Sequence, residues 1–494
     1  MKWNESDLNE FEVRQLDRAQ IDAQLTLFTD GVEPTQIHAP CTLGKGVRRF
    51  SMDELATYAQ TYDRQAPRLS ITKFVPASGA ATRMFAHLHA ADDADERYSE
   101  FMKHLPRFAF YQLLEGHFRD QGISLEALRS SGNYGPITAG LLGASGLNYD
   151  EIPKGSVPFH KYPNAVRTPF MEHLHEAAMY AVGKGGVAQV HFTVSPSFKS
   201  SDRQALLKYA EDLGLTAGCA IEVTFSEQHP STDTLAVDEN NAPFRGVDGR
   251  LLFRPGGHGA LLRNLDALQA DVIFIKNIDN VVPDSKKADT VASKRALGGL
   301  LLDLVARRNA ILHHLDDGVS GAENDAKRLL RYWFVHEEET VLPSDPAVLK
   351  QLLNRPIRVC GMVRNAGEPG GGPFWMRTSG GHCTAQIVEA AQIDLSNEDQ
   401  REQFEASTHF NPVDLVCHTR DHHGEKYNVI NFSNPNRAFI AMKSIGSRRL
   451  KALERPGLWN GAMEYWLTVF IEVPATTFAP VKTVNDLLRP EHRA

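Results

Sequence analysis

Apolar runs of strand length that end in small-residue or polar tips, with helix-like segments between them, recur along this 494-residue chain and constrain its fold more than any other feature. The strand-like runs fall at 71–75, 188–193, 221–226, 251–253 and 272–278, with helical patterns at 201–213 and 259–268. Such alternation predicts an α/β sheet that takes its ligands beyond the carboxyl ends of its strands. An amphipathic segment follows at 297–315, then a glycine-rich loop at 367–372 and a last strand at 466–473. Residues 1–70 repeat Phe11, Leu16, Ile21, Leu25 and Phe28 at helical spacing and read as an N-terminal helical extension. A domain spanning 71–494 follows, with a second helical pattern at about 86–148 read as an insertion into it.

Charge narrows what the sheet can bind. The 53 basic and 61 acidic residues, net −8, are mixed along the sequence without a basic stripe, so no nucleic acid is expected as a partner. A mononucleotide needs only a local cationic pocket. No run reaches the ~20 apolar residues of a bilayer span, and the first residues lack the apolar core of a secretory signal. A cytoplasmic protein with no membrane partner is the expectation. The five cysteines are odd in number and include no CxxC, which reads as reduced, mostly buried thiols.

Four tips carry candidate chemistry. The first strand runs into PASGAATRM (76–84), where Ala77, Ser78, Gly79, Ala80 and Ala81 are small enough to let backbone amides approach a phosphate and Arg83 adds charge. A plain tight turn explains the same residues equally well. In RPGGHG (254–259), Gly256, Gly257 and Gly259 permit close backbone approach and His258 offers a donor, the alternative being a turn that needs positive φ. The run 272–278 leads into Asp279 and Asn280, with Asn277 just before the tip and Asp284 beyond it. A carboxylate at the tip of a buried strand is costly to desolvate unless it meets a cation, so Asp279 is a candidate Mg2+ ligand, with a turn-capping role as the alternative. Lys482 closes TFAPVK, and Thr483 with Asp486 has capping-box spacing, so a helix is predicted to begin directly after the lysine. Two further segments read more plainly: His418, His422 and His423 in CHTRDHHGEKY as a polar hairpin turn rather than a metal site, and GEPGGGPFW (367–375) as either a closing loop or ordinary surface.

Taken in order, these segments resemble the UDP-sugar pyrophosphorylases, the group that includes UDP-glucose and UDP-N-acetylhexosamine pyrophosphorylases. Thr82-Arg83, Pro153-Lys154, Phe225 to Pro230 around Gln228, Pro255 to Gly259, Ile278 to Asn280 and Phe478 to Lys482 match the group's successive motifs across residues 74–488. The resemblance implies a nucleotide-diphospho-sugar transferase fold, a GT-A-like and Rossmann-like mixed sheet flanked by helices. It implies a nucleotidyltransferase that joins a nucleotide, preferably from UTP, to a sugar 1-phosphate and releases pyrophosphate, with Mg2+ as cofactor. Carried over residue by residue, Arg83, Lys154 and Lys482 hold phosphates, and Ala77, Ser78 and Gly79 line the nucleotide loop. Gln228, Gly256 and Gly257 face the base; His258, Asn277 and Glu389 face the sugar; Asp279 binds the metal.

The chain departs from that pattern in its loop, which has Ser78, Gly79, Ala80 and Ala81 where the group has two or three glycines, and in the long gap between Arg83 and Lys154. Twelve residues follow Lys482, so the C-terminal β-domain of the group is not expected. A catalytically inactive nucleotide or nucleotide-sugar binding protein of the same fold is the alternative. A dehydrogenase would need GxGxxG and a P-loop kinase GxxxxGK[ST], and neither is present. The whole chain also resembles a bacterial family known only as a domain of unknown function, whose members carry PASGAATRM, PGGHG and NIDN together; that likeness implies no activity.

Overall fold

A strand buried on both faces reads as a continuous apolar run, and Ile71–Pro76 does so apart from Thr72 and Lys73. The computed structural model, which describes residues 3–89, 95–336, 340–367, 370–378, 381–446 and 448–493, resolves that exception. The chain forms two compact units, one of Met1–Glu54, Gln228–Val272 and Leu297–Glu472, the other of Leu55–Glu227, Ile273–Ala296 and Val473–Ala494. Both are α/β, with sheet strands flanked by helices.

In the second unit the strands lie in the order Val272–Lys276, Ile71–Pro76, Val187–Val194, Ala220–Glu227. The last three are mutually parallel, with Phe74 opposite His191 and Val190 opposite Val223. Parallel neighbours need a crossover, and the helix Ser200–Ala217 supplies it, stopping at Gly218 with φ +72°. The helix Pro169–Tyr180 begins at Thr168, whose side chain accepts from the Met171 amide, with proline in its first turn. It carries the partner that Lys73 requires. Glu176 takes Lys73 Nζ at 2.8 Å on one carboxylate oxygen and Lys276 Nζ at 2.9 Å on the other, all three side chains being buried. Lys276 and Lys73 hold Glu176 well below the usual carboxylate range even though burial pushes it up, while burial pulls the Lys73 ammonium down to about 7.

The segment between Arg83 and Lys154 is helical, with helices Glu96–His104, Tyr111–Asp120, Leu125–Ser130 and Tyr134–Leu142; residues 90–94 of the expected insertion lie outside the described residues. These helices share a core with the loop and the chain's last segment: Phe85, Phe101, Phe110 and Leu141 pack in one cluster with Val281, Val481 and Val484.

The first unit holds a mixed arrangement. Gly46–Arg49, Leu467–Glu472 and Ile357–Arg364 are parallel, and His409–His418 pairs antiparallel with Ile357–Arg364. A four-stranded sheet runs Phe253–Arg254, Thr234–Val237, Arg448–Glu454, Phe439–Ile445, and a three-stranded one joins Ala39–Pro40, Gly371–Arg377 and Cys383–Glu389. The helices Glu5–Val13 and Arg18–Asp30 pack Phe11, Ile21 and Phe28 against Leu235 and Val237, and Gln24 accepts from the Leu235 amide. Residues 368 and 369 of the glycine-rich loop lie outside the described residues. Among the described residues no helix is long and apolar enough to cross a membrane.

Replacing Glu176 with glutamine strands two buried ammonium groups. We expect Glu176→Gln to fold but to lose roughly 3 kcal/mol of unfolding free energy in urea titration at neutral pH, since breaking a buried ion pair costs far more than a surface one. An unchanged midpoint would remove the cluster from the account of this unit.

Candidate functional site

The strands of the second unit end in two tips that the surrounding chain fixes by hydrogen bonds. His173 Nε2 donates to the carbonyls of Asn277 and Ile278, each at 3.2 Å, and so clamps the turn in which Asp279 sits. Burial, and then the Lys73 ammonium, keep this imidazole neutral, well below its usual range. On the other side of the turn the Val481 amide donates to the Asp279 carbonyl at 3.3 Å, and the Asn280 side chain accepts from the Ala479 amide at 2.9 Å. The Phe478 to Lys482 motif is thereby stitched to the Ile278 to Asn280 motif.

Lys154 arrives from a third motif. The loop after Ile71–Pro76 pairs with the segment before the lysine: Ala80 bridges Pro153, the Ala81 amide donates to Ile152 O at 3.2 Å, and the Lys154 amide donates to Gly79 O at 3.1 Å. The helical segment therefore leaves and returns at one point, and the long gap in sequence does not displace the lysine. Lys154 Nζ lies 2.6 Å from Asp279 Oδ2 and also donates to Val481 O; Lys482 Nζ lies 3.7 Å from the same Oδ2. Asp279 is nearly buried, and burial raises its affinity for a proton, but Lys154 and then Lys482 outweigh that and hold its carboxyl below the usual range.

The loop at Ser78, Gly79 and Ala80 faces solvent. A Cβ placed on Gly79 would meet nothing within 4 Å, so the protein's own packing does not demand glycine there and the space above the amides is open. Arg83, at the end of the loop, is exposed. The helix expected after Lys482 is a single 3-10 turn, Val484–Leu488, with Asp486 Oδ2 accepting from the Lys482 and Thr483 amides at 2.7 Å each. Asp284 pairs instead with Arg167 at 2.7 Å and Lys287 at 2.8 Å, which makes it structural.

The PGGHG turn belongs to the first unit, and its glycines are all accounted for by packing. A Cβ on Gly256 would stand 2.7 Å from Thr232 O, one on Gly257 2.9 Å from Glu454 Oε2, and one on Gly259 2.0 Å from Pro456 O; Gly257 also has φ +74°. The expected helix at 259–268 is shorter, a 3-10 turn at His258–Leu261 followed by Leu262–Asp266. His258 stacks on Trp459 with centroids 4.3 Å apart, and its Nδ1 accepts from the Leu458 amide at 3.1 Å, which leaves Nε2–H as its donor. Burial lowers this imidazole's proton affinity, opposed by Glu389 and Glu454, so His258 and Glu389 are within electrostatic reach of one another. Gln228 is half-buried and donates to Asp233 Oδ1 at 3.3 Å. Sequence reasoning passed over His173, Glu454 and Trp459, for which the chain carries no local signal.

A protein-family profile, described as a domain of unknown function (DUF4301), matches residues 4–493. No curated protein matches the chain. Among solved structures it is similar to the uridine diphosphate N-acetylglucosamine pyrophosphorylase of Trypanosoma brucei, at 12% identity and TM-score 0.49 over 98% of this chain and 79% of that one. It is also similar to a variant of UDP-glucose pyrophosphorylase from Leishmania major in complex with UDP-glucose (12% identity, TM-score 0.45, 99% and 79%). A third such structure is the UDP-glucose phosphorylase of Trypanosoma brucei (13% identity, TM-score 0.44, 98% and 77%). The profile spans every tip described above, the loop at Gly79, the PGGHG turn, Asp279 and Lys482, and the chain belongs to the DUF4301 family.

Proposed function

We propose that this chain is a sugar-1-phosphate nucleotidyltransferase, which forms an NDP-sugar and pyrophosphate from a nucleoside triphosphate and a sugar 1-phosphate, with UTP as the preferred nucleotide. One observation carries the reading: Lys154, Asp279 and Lys482, from three motifs far apart in sequence, converge beside the open loop at Gly79. A sugar 1-phosphate is already an anionic nucleophile. Its oxygen attacks the α-phosphorus, the bond from that phosphorus to the bridging oxygen breaks, and pyrophosphate leaves with the electron pair, so no general base is needed. What the step needs is cations, because each like-charge pair held at ~5 Å costs about 3 kcal/mol at an effective dielectric near 20. Lys154 and Lys482 supply two, and Arg83 is available from the loop.

Both lysines approach Asp279 most closely at Oδ2, and this carboxylate, at the tip of a buried strand, is the residue that would hold a divalent cation. One carboxylate fits Mg2+, an ion commonly held by one or two carboxylates together with substrate phosphates. When bound, Mg2+ neutralises charge on the triphosphate and on the departing pyrophosphate. By the pattern of the pyrophosphorylases, Ser78 and Gly79 present amides to the phosphates, whereas Ala77, expected to do the same, is buried and donates its amide to Thr193 O at 2.9 Å; Gln228 and Gly256 belong to base recognition and Gly257 to the nucleotide site. His258, with its Nε2–H, Asn277 and Glu389 belong to the sugar.

Pyrophosphate release from UTP and a panel of sugar 1-phosphates tests the proposal directly. A protein that is stabilised by nucleotide sugars yet releases no pyrophosphate under any combination is the inactive binder instead. In an active enzyme, Lys482→Ala should lower kcat about 10²-fold, since a charge engaged mainly in the transition state contributes ~3 kcal/mol there. Its ligand-free Tm should stay close to that of the wild type; a large fall in Tm with unchanged turnover per folded molecule would make the lysine structural. Gln228→Ala should erode the preference for UTP over ATP and GTP, because a base reader discriminates by what it leaves unpaired. Equal use of all three nucleotides by the unaltered protein would remove the uridine assignment.

Asp279→Asn gives a test with a defined pH signature. The folded protein holds this carboxyl below its ordinary value, so its contribution to stability is complete above about pH 4 and is lost as pH falls through the depressed folded value. The variant should be less stable than the wild type by roughly 3 kcal/mol at pH 7, and the gap should close as pH is lowered below about 4. A gap that persists unchanged at low pH would mean that Asp279 is not held by the two ammonium groups.

A further inference from the structure

The turn CHTRDHHGEKY is the one sequence feature with metal-ligand chemistry that the proposed reaction does not use, and the fold adds to it a residue the sequence could not place there. Asp421 builds the turn: its Oδ1 accepts from the amides of His423 and Glu425, each at 2.9 Å, and Gly424 takes φ +85°. His422 and His423 are thereby held side by side, with ring centroids 4.0 Å apart. In the same unit, His313 lies in the last turn of the helix Ala288–Asp316, with its ring centroid 5.1 Å from that of His422 and 5.6 Å from that of His423. One ligand nitrogen from each of the three lies within 4.8 Å of the others.

A second observation points to a ligand. His422 is buried, and its Nε2 is hydrogen-bonded to Asp316 Oδ2 at 2.8 Å, whereas its Nδ1 is buried with no hydrogen-bond partner. A carboxylate that accepts from one ring N–H fixes the tautomer and leaves the other nitrogen's lone pair bare, which is the arrangement found behind metal-bound imidazoles. Asp316 is three residues from His313 on the same helical face and is itself held by Lys350, so the orienting group is anchored as well.

We propose that His313, His422 and His423 form a binding site for a borderline divalent transition-metal ion such as Zn2+, with Asp316 as the residue that orients His422. Neutral imidazoles select such ions over Mg2+ and Ca2+, which favour oxygen ligands. Nitrogens ~2.0–2.1 Å from a tetrahedral ion sit roughly 3.3 Å apart, so the three rings need only close by about an ångström or two, and His313 and His423 are exposed to solvent. A fourth position remains for water or an external ligand. The site lies wholly within one unit, and its chemistry is distinct from that of the Asp279 cluster.

The test uses the full chain, stripped with EDTA and titrated with Zn2+ by calorimetry and with Co2+ by visible absorption, at pH 7.5 in the presence of millimolar Mg2+. One equivalent of Zn2+ should bind with micromolar or tighter affinity, Co2+ should give the d–d bands of a low-coordinate nitrogen site, and Mg2+ should not compete. Asp316→Asn should weaken binding about 10- to 100-fold, and His313→Ala and His423→Ala, both at exposed positions, by at least as much, with metal-free Tm values near that of the wild type. No binding at 100-fold higher metal concentration than the ~1 μM expected, or binding unchanged in both His313→Ala and His423→Ala, overturns the proposal. Loss of binding in His422→Ala alone does not sustain it, because that ring is buried; the exposed pair decides.

Discussion

The second unit depends on the carboxylate of Glu176. Lys73 and Lys276 sit on separate strands, each a few residues before a tip that carries candidate chemistry, and both ammonium groups end on the same buried side chain. Three charges taken out of water are tolerable only if paired and hydrogen-bonded, so the helix Pro169–Tyr180 is not free to slide over the strands it covers. The same helix supplies His173, which bonds the carbonyls of Asn277 and Ile278. One helix therefore sets the heights of the strand leading to the Gly79 loop and of the turn holding Asp279.

A second consequence is electrostatic. Asp279 is a single carboxylate facing two lysines, so the cluster carries a net positive charge of about one. The excess falls on Lys482, whose side chain is 66% exposed, so water solvates it. The stitching of the Phe478 to Lys482 segment onto the Asp279 turn keeps the two ammonium groups near each other despite their repulsion.

How much of this was legible in the sequence follows from how local each cause is. The strands near 71–75, 188–193 and 272–278 stand where their apolar runs place them, because strand burial is written in consecutive residues; the one near 221–226 is also in place, but with exposed and half-buried residues in alternation. The Thr483 and Asp486 spacing likewise gave the turn after Lys482, although it closes as one 3-10 turn rather than a longer helix. The helix after PGGHG is shorter than its pattern predicts, and the glycines of the turn answer to Thr232, Glu454 and Pro456, which lie far from them in sequence, so no local pattern announces such neighbours. The Lys73, Lys276 and Glu176 cluster left a trace that went unused, a lysine inside each of two otherwise apolar strands, and a lysine so placed must be paired. The histidine turn forms where its sequence predicts it, and the nearness of His313 to His422 and His423 arises only through the fold.

Burial separates the lysines paired with Glu176 from those paired with Asp279. The side chains of Lys73 and Lys276 are 0% and 1% exposed, that of Lys154 is 14% exposed, and that of Lys482 is 66% exposed. A fully enclosed ammonium cannot reach a ligand from solvent, whereas an exposed one exchanges water for an anion at little cost to the fold. Lys154 stands between these limits: it is held by Asp279 and Val481 O, at the edge of an open loop, and can exchange a protein oxygen for a phosphate oxygen without leaving its place. Graded engagement of this kind makes one small region enclosed at its base and accessible at its rim, where Lys154, Lys482 and Asp279 meet.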